Sequence, residues 1–192
     1  SRGLGDVYKR QANISNGIGG IIGNMYYGTT EYSYSFGNIK AENSTVAGIC
    51  GYSDNTYVSK CYSGMNINSN GKNVAGIVGY SASNEGQIMI NNNLHIGNVY
   101  NSLEKIVNPI IGNDKNGKEN LLYEASYING EKYKLDNVET LSTSELLDKN
   151  TYINKLYFKD NYNYEKLENG VLPKLNYKNT KNLLAHQKAV SY

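Results

Sequence analysis

The heptapeptide Val46-Ala47-Gly48-Ile49-Cys50-Gly51-Tyr52 returns as Val74-Ala75-Gly76-Ile77-Val78-Gly79-Tyr80, and a diverged copy, IGGIIGN, occupies residues 18–24. The copies begin at positions 18, 46 and 74, which are evenly spaced. A second motif keeps the same phase. Tyr34, Ser35, Asn38 and Ile39 recur at that interval as Tyr62, Ser63, Asn66 and Ile67, and more loosely, at a slightly longer one, as Asn98 and Val99. Two motifs in phase at a period between about 20 and 50 residues mark a stacked repeat architecture, in which each unit buries its apolar face against its neighbours.

Residue chemistry within the repeat favours strands. Ile49, Cys50, Ile77 and Val78 suit strands, and glycine inside a helix costs about 1 kcal/mol relative to alanine. The glycines at Gly20, Gly48 and Gly76 and at Gly23, Gly51 and Gly79 recur where a Cβ would obstruct a close backbone or a tight corner. Asp54-Asn55, Asn68-Ser69-Asn70-Gly71 and Ser83-Asn84-Glu85-Gly86 supply turn residues between the apolar blocks. Each unit is therefore expected to hold two or three short strands. The expected fold is mainly β: a short right-handed parallel β-solenoid (β-helix) of three to four coils. Stacking at about 4.8 Å would align Asn38, Asn66 and Asn98 as a buried amide ladder and set the Tyr34 ring on Tyr62.

A fourth unit, Val107-Asn108-Pro109-Ile110-Ile111-Gly112-Asn113, carries proline where the others carry glycine. Proline lacks a ladder donor, which places the end of the repeats here. The chain is accordingly divided into 12–115, the repeats, and 116–192, a small α+β capping module over the last coil. In that module Leu121-Leu122-Tyr123 reads as a strand and Asn129-Gly130 as a turn. Ser142-Thr143-Ser144-Glu145 is a capping box that should start a helix ahead of Leu146-Leu147.

The first eleven residues are set apart. Asp6-Val7-Tyr8-Lys9-Arg10-Gln11 is the translation of GAT GTG TAT AAG AGA CAG, which resembles the mosaic end of a sequencing-library transposon adapter, so residues 1–11 read as an artefact at the head of a fragment. They carry a net +2, residues 12–100 a net −1 and residues 101–192 a net +1, so the basic excess of the chain lies in that segment. Without it the chain is neutral, and attraction to nucleic acid loses its electrostatic basis. No apolar run of about 18 residues is present, so no membrane insertion is expected. With 19 Tyr, 2 Phe and no Trp, the core must combine aliphatic residues with tyrosine rings whose hydroxyls need partners. Cys50 and Cys61 fall outside the repeat pattern; both free thiols and a disulfide fit their spacing.

The blocks VAGICGYS at 46–53, CYSGMNI at 61–67 and VAGIVGYS at 74–81 resemble GLUG motifs, which recur in exported bacterial proteins such as adhesins and the non-catalytic part of M26-type IgA1-specific zinc metallopeptidases. LSTSELLDKNTYI at 141–153, ENGVLPKL at 168–175 and NLLAHQK at 182–188 are similar to the segment after the repeats in those peptidases. The resemblance implies an extracellular or cell-surface location. It also implies a parent chain that meets host immunoglobulin, or a surface glycan or protein.

The zinc-binding His-Glu-x-x-His of such a peptidase is not found here. His95 is followed by Ile96-Gly97 and His186 by Gln187-Lys188. His95 falls where earlier repeats have Ser35 and Ser63, which suits a solvent-facing or core-edge position rather than a catalytic or metal one. Glu31, Glu42, Asp54 and Glu85 are the carboxylates of residues 12–100, and none are spaced to pair on one face as glycan hydrolysis requires. No catalytic, cofactor or metal residue is therefore assigned. The expected function is that of a structural or recognition segment of an M26-like peptidase whose catalytic domain lies outside the fragment. The alternatives are adhesin repeats that bind host glycan or protein and, third, a polysaccharide-active β-helix.

Overall fold

A computed structural model describes residues 17–42, 44–82, 88–101, 109–114, 121–122, 126–129, 138–167 and 172–176. The adapter-like residues 1–11, the turn at 83–86 with Glu85, Gly130 and His186 lie outside the described residues.

The first repeat forms β1 (Gly17–Gly19), β2 (Ile22–Tyr26), β3 (Thr29–Glu31) and β4 (Tyr34–Ala41). The second forms β5 (Thr45–Ala47), β6 (Cys50–Asp54), β7 (Tyr57–Ser59) and β8 (Tyr62–Ser69). The third forms β9 (Val74–Ala75), β10 (Val78–Ala82), β11 (Ile88–Asn91), β12 (Leu94–His95) and β13 (Val99–Asn101). Each repeat thus visits four strand positions, more than the two or three expected. The extra breaks are left-handed corners at Tyr27 and Asn55 and at Tyr32, Lys60 and Asn92, with φ between 47° and 54°. Tyrosine and lysine carry no signal for that conformation, so the corners at Tyr27, Tyr32 and Lys60 were not readable, whereas the one at Asn55 was read as a turn.

Strands at equivalent positions pair in parallel, giving sheets β1-β5-β9, β2-β6-β10 and β3-β7-β11, while β8 pairs with β4, β12 and β13. The register repeats the sequence period: Ile22 faces Cys50, Thr29 faces Tyr57, Tyr34 faces Tyr62 and Val46 faces Val74. Ala82 still pairs with Asp54 at the interval of the earlier repeats, whereas Met89 pairs with Tyr57 at a longer one. The extra residues of the third repeat therefore fall between Ala82 and Met89.

Pairing does not stop at Pro109, and the expected boundary at 115 lies outside the described residues. β14 (Ile111–Asp114), β15 (Leu121–Leu122) and β16 (Ser126–Asn129) join β10, β11 and β12 at one common offset, which sets Ile111 against Val78, Leu121 against Ile88 and Tyr127 against Leu94. β17 (Val138–Leu141) then adds to β16. Proline is tolerated because the bond at this position uses its carbonyl: Gly76 N–H donates to Pro109 O at 2.8 Å, as Gly48 N–H donates to Gly76 O at 3.0 Å. The fold is mainly β, with parallel sheets.

Two apolar clusters fill the space between the sheets. One gathers Met25, Ile49, Cys50, Val58, Cys61, Ile77, Val78, Ile90, Ile110 and Ile111; the other gathers Ile39, Ala41, Val46, Met65, Ile67, Val74 and Val99. Each aliphatic side chain fully withdrawn from water contributes about 1.5–3 kcal/mol.

After β17 the chain turns helical. Ser142 caps α1 (Thr143–Leu146) through the predicted box: its hydroxyl accepts from Glu145 N–H, and its own N–H donates to the Glu145 carboxylate at 2.8 Å. That bond from the Ser142 backbone holds the Glu145 carboxyl down to about 2. A π-helical turn (Thr151–Lys155) and a 3-10 turn (Lys159–Asn161) lead to β18 (Tyr162–Asn163), which pairs antiparallel with β19 (Lys174–Leu175). This segment does not sit over the last strand layer as a cap. It lies along the flank, where Tyr152, Leu156, Phe158 and Tyr162 pack with Tyr62 and Leu94. The cause is strand alternation: Tyr34, Tyr62 and Leu94 point away from the interior that Ser35, Ser63 and His95 enter, leaving an apolar stripe outside that needs cover.

Candidate functional site

The predicted amide ladder is a chain of real contacts. Asn66 Nδ2 donates to Asn38 Oδ1 at 3.2 Å, and Asn98 donates to Asn66 Oδ1 through both its backbone N–H at 3.1 Å and its Nδ2 at 3.3 Å. Its expected burial is overturned. All three asparagines are exposed, because they alternate with Ile39, Ile67 and Val99, which take the inner face at 9, 2 and 4% exposure. Tyr34 lies on Tyr62 with centroids 5.1 Å apart and planes 7° from parallel. The docked segment extends that column, since Phe158 stacks on Tyr62 and Tyr62 O–H donates to Pro173 O.

Both glycine columns mark close approach. A Cβ on Gly20, Gly48 or Gly76 would lie 2.2–2.3 Å from the carbonyl oxygen of Gly48, Gly76 or Pro109, its equivalent in the next repeat. On Gly23 it would lie 2.8 Å from Gly17 O, on Gly51 2.4 Å from Ile18 N, and on Gly79 2.8 Å from Thr45 Cγ2. The second column is the floor on which β1 and β5 rest.

The interior carries a polar column as well. Ser35 Oγ donates to Gly48 O at 2.6 Å. His95, in register with Ser63 and only 1% exposed, makes no well-formed hydrogen bond at either ring nitrogen. Burial pushes its pKa down to about 4, and the neighbouring backbone of Gly97 and Ser63 offsets that only in part. Asn93, fully buried, bridges repeats by accepting from Cys61 N–H at 3.0 Å and donating to Val58 O at 2.9 Å. Asn101 donates to Gly71 O at 2.8 Å. The sequence reading missed both as anchors. The longer interval of the third repeat could have found Asn93, since it sets that residue opposite Cys61. Cys50 and Cys61 are separate, buried free thiols, and desolvation raises each to about 12, which removes the thiolate that reactivity needs.

On the outer surface Tyr52 stacks on Tyr80 at 5.4 Å, with Tyr26 tilted beside Tyr52 at 5.6 Å. Tyr52 and Tyr80 turn their faces to each other, and both are half-buried. The Glu31 carboxylate accepts from Ser59 Oγ at 2.7 Å and Lys60 Nζ at 3.1 Å, and the Ser59 bond is the main cause of its lowered pKa. Lys60 Nζ also sits 4.9 Å from the centre of the Tyr32 ring. Asp54 accepts from Asn55 Nδ2 at 3.0 Å. Glu31 and Asp54 end strands of different sheets, β3 and β6.

Among the described residues no three His, Cys, Asp or Glu side chains gather as a metal site, and no helix is long and apolar enough to cross a membrane. The arrangement offers repeating outer columns of amide and phenol over an interior closed by glycine and aliphatic contacts. No family model, curated protein or solved structure matches the chain.

Proposed function

We propose that the chain is a short right-handed parallel β-solenoid with a side-docked C-terminal segment, and that it serves as a non-catalytic spacer or recognition segment of an exported bacterial protein. One observation carries the reading. Parallel partners recur at one common offset in four different sheets, for Ile18 and Val46, Ile22 and Cys50, Thr30 and Val58, and Asn38 and Asn66. A chain that revisits each sheet in turn advances about 4.8 Å per repeat. It spends a whole repeat on that step and gains a stiff body with a broad, repeating surface. That suits presentation or recognition better than enclosure of a substrate.

The resemblance to GLUG motifs and to the segment that follows them in M26-type peptidases supplies the rest. The parent is an IgA1-type metallopeptidase at the bacterial surface or outside the cell, with zinc chemistry outside residues 12–192 and host immunoglobulin as the implied partner. A second reading, adhesin repeats that bind host glycan or protein directly, draws on the exposed rings of Tyr26, Tyr27 and Tyr57.

Purified protein incubated with IgA1 and assayed for metal after dialysis tests the assignment. The expected result is intact IgA1 and no stoichiometric zinc. Cleavage of IgA1, or one tightly held zinc per chain lost on changing His95 or His186, overturns it.

A further inference from the structure

His95 fills an interior slot that the first two repeats fill with Ser35 and Ser63. Its ring lies against the bare Cα of Gly76, where an added Cβ would stand 2.2 Å from His95 Cγ and 2.4 Å from Nδ1. The same Cβ would lie 2.2 Å from Pro109 O, so the imidazole adjoins the Gly76 N–H to Pro109 O bond that joins the third repeat to the fourth. Both nitrogens are buried without a formed hydrogen bond. The C-terminal segment packs on the opposite, Leu94 face of β12; the elements on the His95 side are β8, β16, the Gly76 corner before β10, and Pro109. Among the described residues they bear no carboxylate and no ammonium group. Their titratable side chains are Tyr62, which faces the opposite side of β8, Tyr80, which is half-buried against Tyr52, and Tyr127 in β16.

A proton on this imidazole would be a buried charge with no counter-ion among the described residues and only poorly placed backbone acceptors, which a protein interior disfavours strongly. We infer that His95 makes the seam between the third and fourth repeats acid-labile, so that β14 to β16 loosen from β10 to β12 at mildly acidic pH while the first two repeats hold. The neutral ring is the folded form. Its pKa of about 4 lies below the ordinary histidine value of 6.5, so the unfolded chain binds the proton first. Stability from this site is complete above about pH 6.5 and is lost as pH falls towards 4.

Urea melts of the full chain and of His95→Ser, which restores the side chain of the other repeats, test the inference between pH 7.5 and 4.5. The wild-type unfolding constant should rise on the order of a hundredfold more than that of the variant. Hydrogen exchange should show residues 88–101 and 109–114 opening before 45–69 as the pH drops. His95→Gln and the control His186→Ser guard against a misfolded variant. An imidazole titration by NMR on the unmodified chain should find one histidine well below 6.5. Equal pH dependence in all variants, uniform opening of the repeats, or a His95 titrating near 6.5 would each overturn the inference.

Discussion

Ser35 Oγ donates to the carbonyl oxygen of Gly48 at 2.6 Å, a bond across 13 residues of chain that ties the first repeat to the second. Gly20 leaves room for that contact, since an added Cβ there would lie 2.2 Å from Gly48 O and 3.1 Å from Ser35 Oγ; one repeat on, a Cβ on Gly48 would lie 1.9 Å from Ser63 Oγ and 2.3 Å from Gly76 O. Gly48→Ala must therefore push backbone against backbone and should destabilise by about 3 kcal/mol or more. Gly28→Ala meets only the flexible Met25 side chain at 3.3 Å and should change stability by less than about 1 kcal/mol. Denaturant melts of the two variants make the comparison, and similar losses would deny the close approach.

Asn93 and Asn66 separate structural burial from surface pairing. Asn93→Ala strands the Cys61 N–H and the Val58 carbonyl in the interior and should cost about 1–3 kcal/mol. Asn66→Ala exposes its partners to water and should stay within about 0.5 kcal/mol. A larger loss for Asn66 in thermal or urea melts would restore the buried ladder that alternation argues against.

Tyr27 holds φ at 51° with its side chain 78% exposed, so it bears left-handed strain without a packing return. Tyr27→Asn should raise stability by about 0.5–1 kcal/mol, since asparagine enters that region more easily. The equivalent corner already uses Asn55, at the same φ of 51°. An unchanged or lower melting temperature would argue against the corner geometry.

Phe158 is fully buried between Tyr62 and Tyr162, with centroids at 6.1 and 4.4 Å. Phe158→Ala should cost about 3–5 kcal/mol of docking. Because the parallel sheets do not depend on this ring, limited proteolysis should cut within 142–176 first, while the far-ultraviolet β signal persists. Joint loss of both would mean that the flank and the sheets form one cooperative unit.

The repeat period could be read from the chain because equivalent residues at each turn meet the same neighbours. Selection for one contact is therefore written several times, as in Gly20, Gly48 and Gly76 or in Tyr34 and Tyr62. The capping box at Ser142 was legible for a related reason: its partners lie close by in the chain. Proline at 109 misled, since a sequence shows the missing donor but not that the pairing there calls on the carbonyl.

Strand identity and phase thus followed from local spacing, and the parallel partners followed from repetition. The facing of the Asn column did not, because a motif fixes alternation without saying which parity turns inward; packing of Ile39, Ile67 and Val99 made that choice. Nor did the docking of the C-terminal segment, which joins Tyr62 to Pro173 across 111 residues. Such a contact occurs once and leaves no repeated mark. Its physical basis, an apolar stripe on the outside of a sheet that water cannot satisfy, appears only when the strands are set side by side.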